Sequence, residues 1–110
     1  MGVELNIVRK NNWNDYSEPS NITLEEWIQY AESDTELKKE MNEEAGSYVW
    51  EGYPEDKSFG TPWFNYSKGY IFTKNPNILV IQKLIVIATA LNAKVYDEEG
   101  DPFDPSFLGL

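Results

Sequence analysis

The sequence predicts a single α+β domain, with two main helices on one face of a mainly antiparallel sheet of four to five strands. The chain has 110 residues, near the usual size of one domain with one core. Short segments rich in β-branched and aromatic residues alternate with loops, which is typical of strands. Two longer segments have the caps and the apolar spacing of helices. We therefore expect one domain over residues 1–110, with flexible ends at 1–3 and 104–110.

The first strand and the loop that follows it are predicted from the beginning of the sequence. Residues 4–9 alternate loosely between polar and aliphatic side chains, which predicts a strand. Residues 11–21 are rich in Asn, Ser and Pro and predict a loop. Trp13 and Tyr16 within this loop are positioned to fold back over the core.

The first helix has the clearest local signal in the chain. Thr23 and Glu26 have the spacing of a capping box, and Ile22 and Trp27 have the spacing of a hydrophobic staple. We therefore expect a helix that begins at Leu24 and directs Trp27 towards the core.

The segment after this helix repeats the capping-box pattern. Residues 33–36 predict a second short helix or turn that runs through Leu37 and Met41. Residues 47–53 then predict a strand whose side chains alternate between two faces, and residues 52–62 predict a connector rich in turns.

Residues 62–74 predict a β-hairpin with two alternative turns. A three-residue loop with Gly69 in the left-handed conformation would pair Tyr66 with Tyr70 and place the hairpin's aromatic residues on one face. A two-residue turn at 68–69 would shift the pairing and break that face.

The long apolar run at 78–91 predicts the last helix, because it is too long for a strand and has apolar residues at helical spacing. Leu79 and Val86 fall among its polar positions and should face solvent. Such a strip can mark a dimer or partner surface. The alternative is that three apolar tail residues cover it; these are Phe103, Phe107 and Leu108.

A short closing strand at 94–96 completes the order β-α-(α)-β-β-β-α-β. This order is compatible with a ferredoxin-like or related split βαβ arrangement of the sheet.

Charge and composition exclude several functions. The net charge is −10, which disfavours binding to nucleic acids and to anionic membranes and favours a basic protein partner. The alternative is that the charge only keeps the protein soluble. The chain has no Cys and no His, so it lacks thiol chemistry, a Ser-His-Asp arrangement and the commonest zinc ligands. No cofactor or metal is expected, and the absence of a signal-peptide pattern predicts a cytoplasmic protein.

No motif singles out a catalytic or metal site. Nothing selects a catalytic pair from the 19 acidic residues, and the acidic segment 97–104 lacks the ligand pattern of an EF-hand. Loop aromatics are the better candidates for ligand contact, because aromatics in strands ordinarily fill the core. These candidates are Trp13, Tyr16, Tyr53 and Phe59.

Several motifs resemble those of a group of small, uncharacterised bacterial proteins of about this length. They cover most of the chain and are caps, core positions and turns, so the resemblance implies a fold and no site residue. Some such small acidic proteins are similar to immunity proteins of toxin systems. The motifs are Ile22-Thr23-Leu24-Glu25-Glu26-Trp27, Ser33-Asp34-x-Glu36-Leu37, Trp63-x-x-Tyr66-x-x-Gly69, Asn75-Pro76 and Ala88-x-x-Leu91-x-Ala93-x-Val95-x-x-Asp97-x-x-Gly100.

The sequence thus favours a non-catalytic protein-binding module, and most concretely an immunity-type inhibitor of a basic toxin. Its candidate contact residues are Leu79, Val86 and the four loop aromatics. The apolar strip of Leu79 and Val86 is also compatible with a homodimer. The alternative is a carboxylate-dependent hydrolase or a carbohydrate-binding domain.

Overall fold

A computed structural model describes residues 4–9, 22–40, 45–54 and 60–97. The expected flexible ends, the loop with Trp13 and Tyr16, Phe59, Met41 and the three tail residues lie outside these ranges. The described elements are β1 Glu4–Val8, α1 Leu24–Ser33, β2 Leu37–Lys39, β3 Ser47–Trp50, β4 Trp63–Ser67, β5 Tyr70–Lys74, α2 Ile78–Ala90 and β6 Lys94–Asp97.

The strands form one antiparallel sheet in the order β2-β3-β4-β5-β1-β6. The α+β class with a single antiparallel sheet is confirmed, but the sheet has six strands instead of four to five. β5 and β6 both pair with β1 in antiparallel fashion and so run parallel to each other, with α2 connecting them. This connection is a split βαβ unit. The sheet has two more strands than the β-α-β-β-α-β ferredoxin-like order, so the expected topology is not confirmed.

Of the predicted second short helix or turn, the helix is wrong: residues 35–36 form a turn, and Leu37–Lys39 is an edge strand that pairs with β3. Asp34 explains the difference. Its backbone N–H donates to two carbonyls of α1, and its Oδ1 accepts a hydrogen bond of 2.9 Å from the Glu36 N–H. This turn, made by an Asp side chain, competes with helix and sends the chain back along the sheet. Leu37 is then buried in the core.

The first helix is capped as predicted, since Thr23 Oγ1 accepts a hydrogen bond of 3.1 Å from the Glu26 N–H. Ile22 and Trp27 are fully buried. The Trp27 indole donates to the Gly46 carbonyl at 2.8 Å. Gly46 has φ +96°, and a Cβ there would lie 2.9 Å from Tyr66 Cβ, so the position requires glycine.

The hairpin uses the two-residue turn, so the aromatic face expected from the three-residue loop is wrong. Lys68 and Gly69 have φ of 46° and 94°, as a type I′ turn requires. Tyr66 therefore pairs with Ile71, and Ser67 with Tyr70. As a result Tyr66 faces the helices, while Tyr70 lies on the opposite face of the sheet.

Both helices pack on the same face of the sheet around one apolar core. The inner faces of all six strands contribute to this core, and Val80, Leu84, Ile87 and Ala88 are its buried residues from α2. The opposite face, called here the outer face, has no described helix on it. It carries a mixture of aromatic and polar side chains, which include Trp63, Asn65, Tyr70 and Phe72.

Candidate functional site

The predicted strip on α2 is exposed at Val86 and half-buried at Leu79. Val86 is 56% exposed, whereas Leu79 packs in part against the core. Ile78 is 47% exposed and was not predicted, because the sequence analysis assigned this residue to no face of the helix. Ile78, Gln82, Val86 and Thr89 occur at helical spacing along the solvent side of α2. We call these four residues the α2 ridge.

The α2 ridge differs in charge from the neighbouring helix α1. Residues 78–90 contain no acidic side chain, and Lys83 is their one charged residue. In a protein with a net charge of −10, this helix therefore presents a neutral and partly aliphatic surface. A surface of this kind can be desolvated without burying a charge.

The neighbouring helix presents the opposite character. Glu25, Gln29 and Glu32 are exposed on the solvent side of α1, and Glu36 follows just beyond its end. The helix layer thus combines an acidic α1 with a neutral α2. Complementary charge accelerates association, while apolar contacts supply most of the affinity.

Lys83 fixes the two helices relative to each other. Its Nζ lies 2.7 Å from Asp34 Oδ2 and 3.2 Å from Glu36 Oε1. The side chains of Lys83 and Asp34 are each only 11% exposed. The Tyr30 hydroxyl donates to Asp34 Oδ2 at 2.9 Å, and the Trp50 indole donates to Glu36 Oε1 at 2.7 Å. The network links α1, α2 and β3.

The pKa values within this network shift in directions that keep its two carboxyl groups charged and its Tyr30 hydroxyl protonated. Burial alone would raise the pKa of Asp34, but hydrogen bonds from Lys83, the Glu36 backbone and Tyr30 outweigh burial and lower it. Hydrogen bonds from Trp50 and then Lys83 lower the pKa of Glu36. Burial, followed by the bond to Asp34, raises the pKa of the Tyr30 hydroxyl.

Arg9 forms a second link at the other end of the helices. Its Nε and Nη2 donate to the Leu91 carbonyl at 3.1 and 2.6 Å, and Nη2 lies 2.6 Å from Glu26 Oε2. The cation thus binds the C-terminal end of α2, where positive charge is favoured. Its hydrogen bond lowers the pKa of Glu26.

These contacts weigh against a role of Glu26, Asp34 or Glu36 as a general acid. A general acid needs a raised pKa, but the three described carboxyl groups with a resolved shift, Glu26, Asp34 and Glu36, all have a lowered pKa. Each is held by Arg9 or Lys83. Within the described ranges, no three acidic residues form a metal-binding group. These clusters therefore stabilise the fold.

Tyr53, the one predicted loop aromatic within the described ranges, also has a structural role. Its ring packs against that of Trp50 at a centroid distance of 5.4 Å. Its hydroxyl accepts a hydrogen bond from the side-chain amide of Asn77, which caps α2. Tyr53 is therefore near the N-terminal end of α2, where it is half-buried and lines a groove of about 420 Å³. Its role in ligand contact stays a prediction.

The outer face carries a groove that sequence reasoning did not identify. The groove has a volume of about 630 Å³ and lies across β2, β3 and β4. Trp63 and Asn65 of β4 line it, together with Val49 and Ser47 of β3 and Lys38 of β2. Their common orientation follows from the pairing of β2 with β3 and of β3 with β4, and β2 was not predicted from the sequence.

No helix within the described ranges is long and apolar enough to cross a membrane. No family model, curated protein or solved structure matches the chain. The resemblance to immunity-type bacterial proteins therefore stays a prediction. The functional proposal rests on the acidic surface of α1 and the neutral surface of α2.

Proposed function

We propose that the protein is a non-catalytic module that captures a basic protein through its helix layer, most concretely as an immunity-type inhibitor of a basic toxin. The observation that carries this proposal is the exposure of Ile78 and Val86 on a helix without acidic residues, next to an acidic helix in a protein of net charge −10.

The two helices have separate roles in this proposal. Glu25 and Glu32 on α1 attract the cationic partner and raise its association rate. The α2 ridge provides a contact that can be desolvated at low cost, where an apolar anchor of the partner is buried. Lys83 holds the two surfaces in a fixed relation through Asp34. Such preorganisation lowers the entropy cost of binding.

A matched pair of variants tests this arrangement. Val86→Glu and Gln29→Glu each add one negative charge at a solvent-facing helix position. Val86→Glu places the charge within the apolar contact, so affinity should fall by about tenfold or more. Gln29→Glu adds charge to the acidic helix and should leave affinity unchanged or increase it.

The measurement is a binding titration of both variants against the protein captured from lysate of the source organism, at low and high salt. Affinity of the unmodified protein should fall as salt rises, because screening weakens the charge attraction. Equal affinity of the two variants would contradict the role of the α2 ridge. Binding independent of salt would contradict the role of α1.

Self-association through the same ridge has the opposite salt dependence. Two protomers of net charge −10 repel each other, so a homodimer should form more readily as salt rises. Sedimentation velocity of the unmodified protein and of Val86→Glu distinguishes this outcome from capture of a basic partner.

A further inference from the structure

The outer-face groove has a defined arrangement of side chains. Lys38, Val49 and Trp63 occupy one row across β2, β3 and β4, because Lys38 pairs with Val49 and Val49 with Trp63. Ser47 and Asn65 form the next row. Trp63 is half-buried, and its ring meets Phe72 edge to face at 5.7 Å. The groove therefore has an aromatic wall held in place by a neighbouring strand.

The indole N–H groups set Trp63 apart from the other tryptophans that the structure describes. The Trp27 indole donates to the Gly46 carbonyl, and the Trp50 indole donates to the Glu36 carboxylate. The Trp63 indole makes no hydrogen bond with any described residue. Proteins ordinarily satisfy such a donor with a protein group, a water or a ligand.

Three more polar side chains of the groove share this property. Within the described ranges, the hydroxyls of Ser47 and Thr61 and the amide of Asn65 make no side-chain hydrogen bond. Together with the Trp63 indole, they offer donors and acceptors of neutral character on one wall of a groove. A few converging polar groups beside an aromatic surface, in a volume of this size, are typical of small-molecule sites.

The charge of the lining indicates which ligands fit. Lys38 and Lys39 are balanced by Glu40 and Glu51. This local balance contrasts with the net charge of −10 of the whole protein. An anionic ligand such as a nucleotide would be repelled by the protein as a whole, and a cationic ligand would gain no net attraction from a lining in which two lysines offset two glutamates. A neutral ligand rich in hydroxyl groups matches the lining.

We propose that this groove binds a neutral saccharide. The apolar face of a pyranose ring stacks on Trp63, while its hydroxyls bond to Asn65 and to the hydroxyls of Ser47 and Thr61. The site lies on the side of the sheet away from the helix layer, so it does not depend on the capture of a protein partner. A single stacking contact with a few hydrogen bonds corresponds to dissociation constants in the millimolar range.

The test uses the whole ¹⁵N-labelled protein, titrated with glucose, galactose, mannose, N-acetylglucosamine, cellobiose and maltose to tens of millimolar. At least one sugar should shift the indole resonance of Trp63 and the side-chain amide of Asn65 in a saturable way. AMP is the anionic comparison and should shift neither resonance. Absence of a saturable shift with every sugar, or a response to AMP alone, would overturn the proposal.

Variants of the groove show whether the shifts report binding there. Trp63→Ala should weaken binding by about tenfold or more, and Asn65→Ala by several-fold. Tyr70→Ala is the matched control, since it removes an aromatic side chain from the outer face but not from the groove. Asn65→Ala removes no described hydrogen bond, so it stays informative if Trp63→Ala fails to fold. Equal binding by Asn65→Ala and the unmodified protein would contradict the site.

Discussion

Lys83 shows how one side chain can determine the arrangement of a small domain. Its ammonium group is almost covered and contacts Asp34 and Glu36, and it lies 5.7 Å from the centre of the Trp50 ring. Removal of one partner from a nearly buried ion pair leaves the other charge without compensation. The remaining contact with Glu36 contributes less, because the Glu36 side chain is half exposed.

We expect Lys83→Met to lower the free energy of unfolding by about 1–2 kcal/mol at neutral pH, since Asp34 loses its cation while the aliphatic stem is kept. Urea denaturation measures the change. Lys74→Met is the control, because it removes the same charge from an exposed position. Equal losses in the two variants would mean that Lys83 acts only through the net charge.

The same variant should change the dependence of stability on pH. Asp34 and Glu36 have pKa values below their ordinary values of 3.8 and 4.5, so their contribution is present above those values. It is lost as pH falls below them towards the lowered values of the folded state. The difference between the unmodified protein and Lys83→Met should therefore shrink below about pH 4. A constant difference from pH 7 to pH 3 would contradict this linkage.

At the scale of elements, a capping box predicted the first helix, apolar spacing predicted the second, and a competing turn hid one strand. Thr23 caps α1 through a hydrogen bond to the backbone, as expected from its position in the sequence, and the structure shows that Asn77 caps α2 in the same way. β2 was not predicted, because Ser33 to Glu36 has the spacing of a capping box while Asp34 makes a turn instead. The local residues permit both a helix and a strand after this turn, and pairing with β3 selects the strand.

The two candidate surfaces, the α2 ridge and the outer-face groove, were predictable to different degrees. Val86 was found because helical spacing alone places it on the solvent side of α2. The groove at Trp63 was missed because its residues come together only when β2, β3 and β4 pair, and β2 was not predicted. Trp13, Tyr16 and Phe59 lie outside the described residues, so their role stays a prediction.

The turn at Lys68 offers a test at this scale. Lys68 has φ 46°, a conformation that Asn adopts at lower cost and that an Asn-Gly pair favours in hairpins. We expect Lys68→Asn to raise the free energy of unfolding by about 0.5–1 kcal/mol. Lys68→Ala removes the same charge without this advantage and should be neutral or destabilising. Equal effects, measured by thermal denaturation, would indicate that charge and not backbone conformation controls the turn.

For the whole molecule, the dominant property is a net charge of −10. Repulsion among like charges destabilises the compact state, and salt screens it. The nearly buried pair of Lys83 and Asp34 is screened less than exposed charges are. Salt should therefore remove more repulsion than attraction.

We thus expect the midpoint of thermal unfolding to rise by several degrees between low salt and about 0.5 M sodium chloride. Glu32→Lys, at an exposed position of α1, reduces the net charge and should show a smaller rise. An identical rise in both proteins would indicate a general effect of salt on hydrophobic burial instead of screening. Differential scanning calorimetry provides the measurement.

The split β5-α2-β6 unit also affects the order in which the chain can fold. β1 is the first described strand, yet its neighbours are residues 70–74 and 94–97. During synthesis, Leu5 and Ile7 leave the ribosome long before the strands that will cover their hydrogen-bonding edges. This inner strand, which lies next to the edge strand β6, is therefore the last to gain its partners, and its pairing closes long loops, which is a slow step. In the cell, an apolar segment without neighbours at this stage is a natural binding site for chaperones.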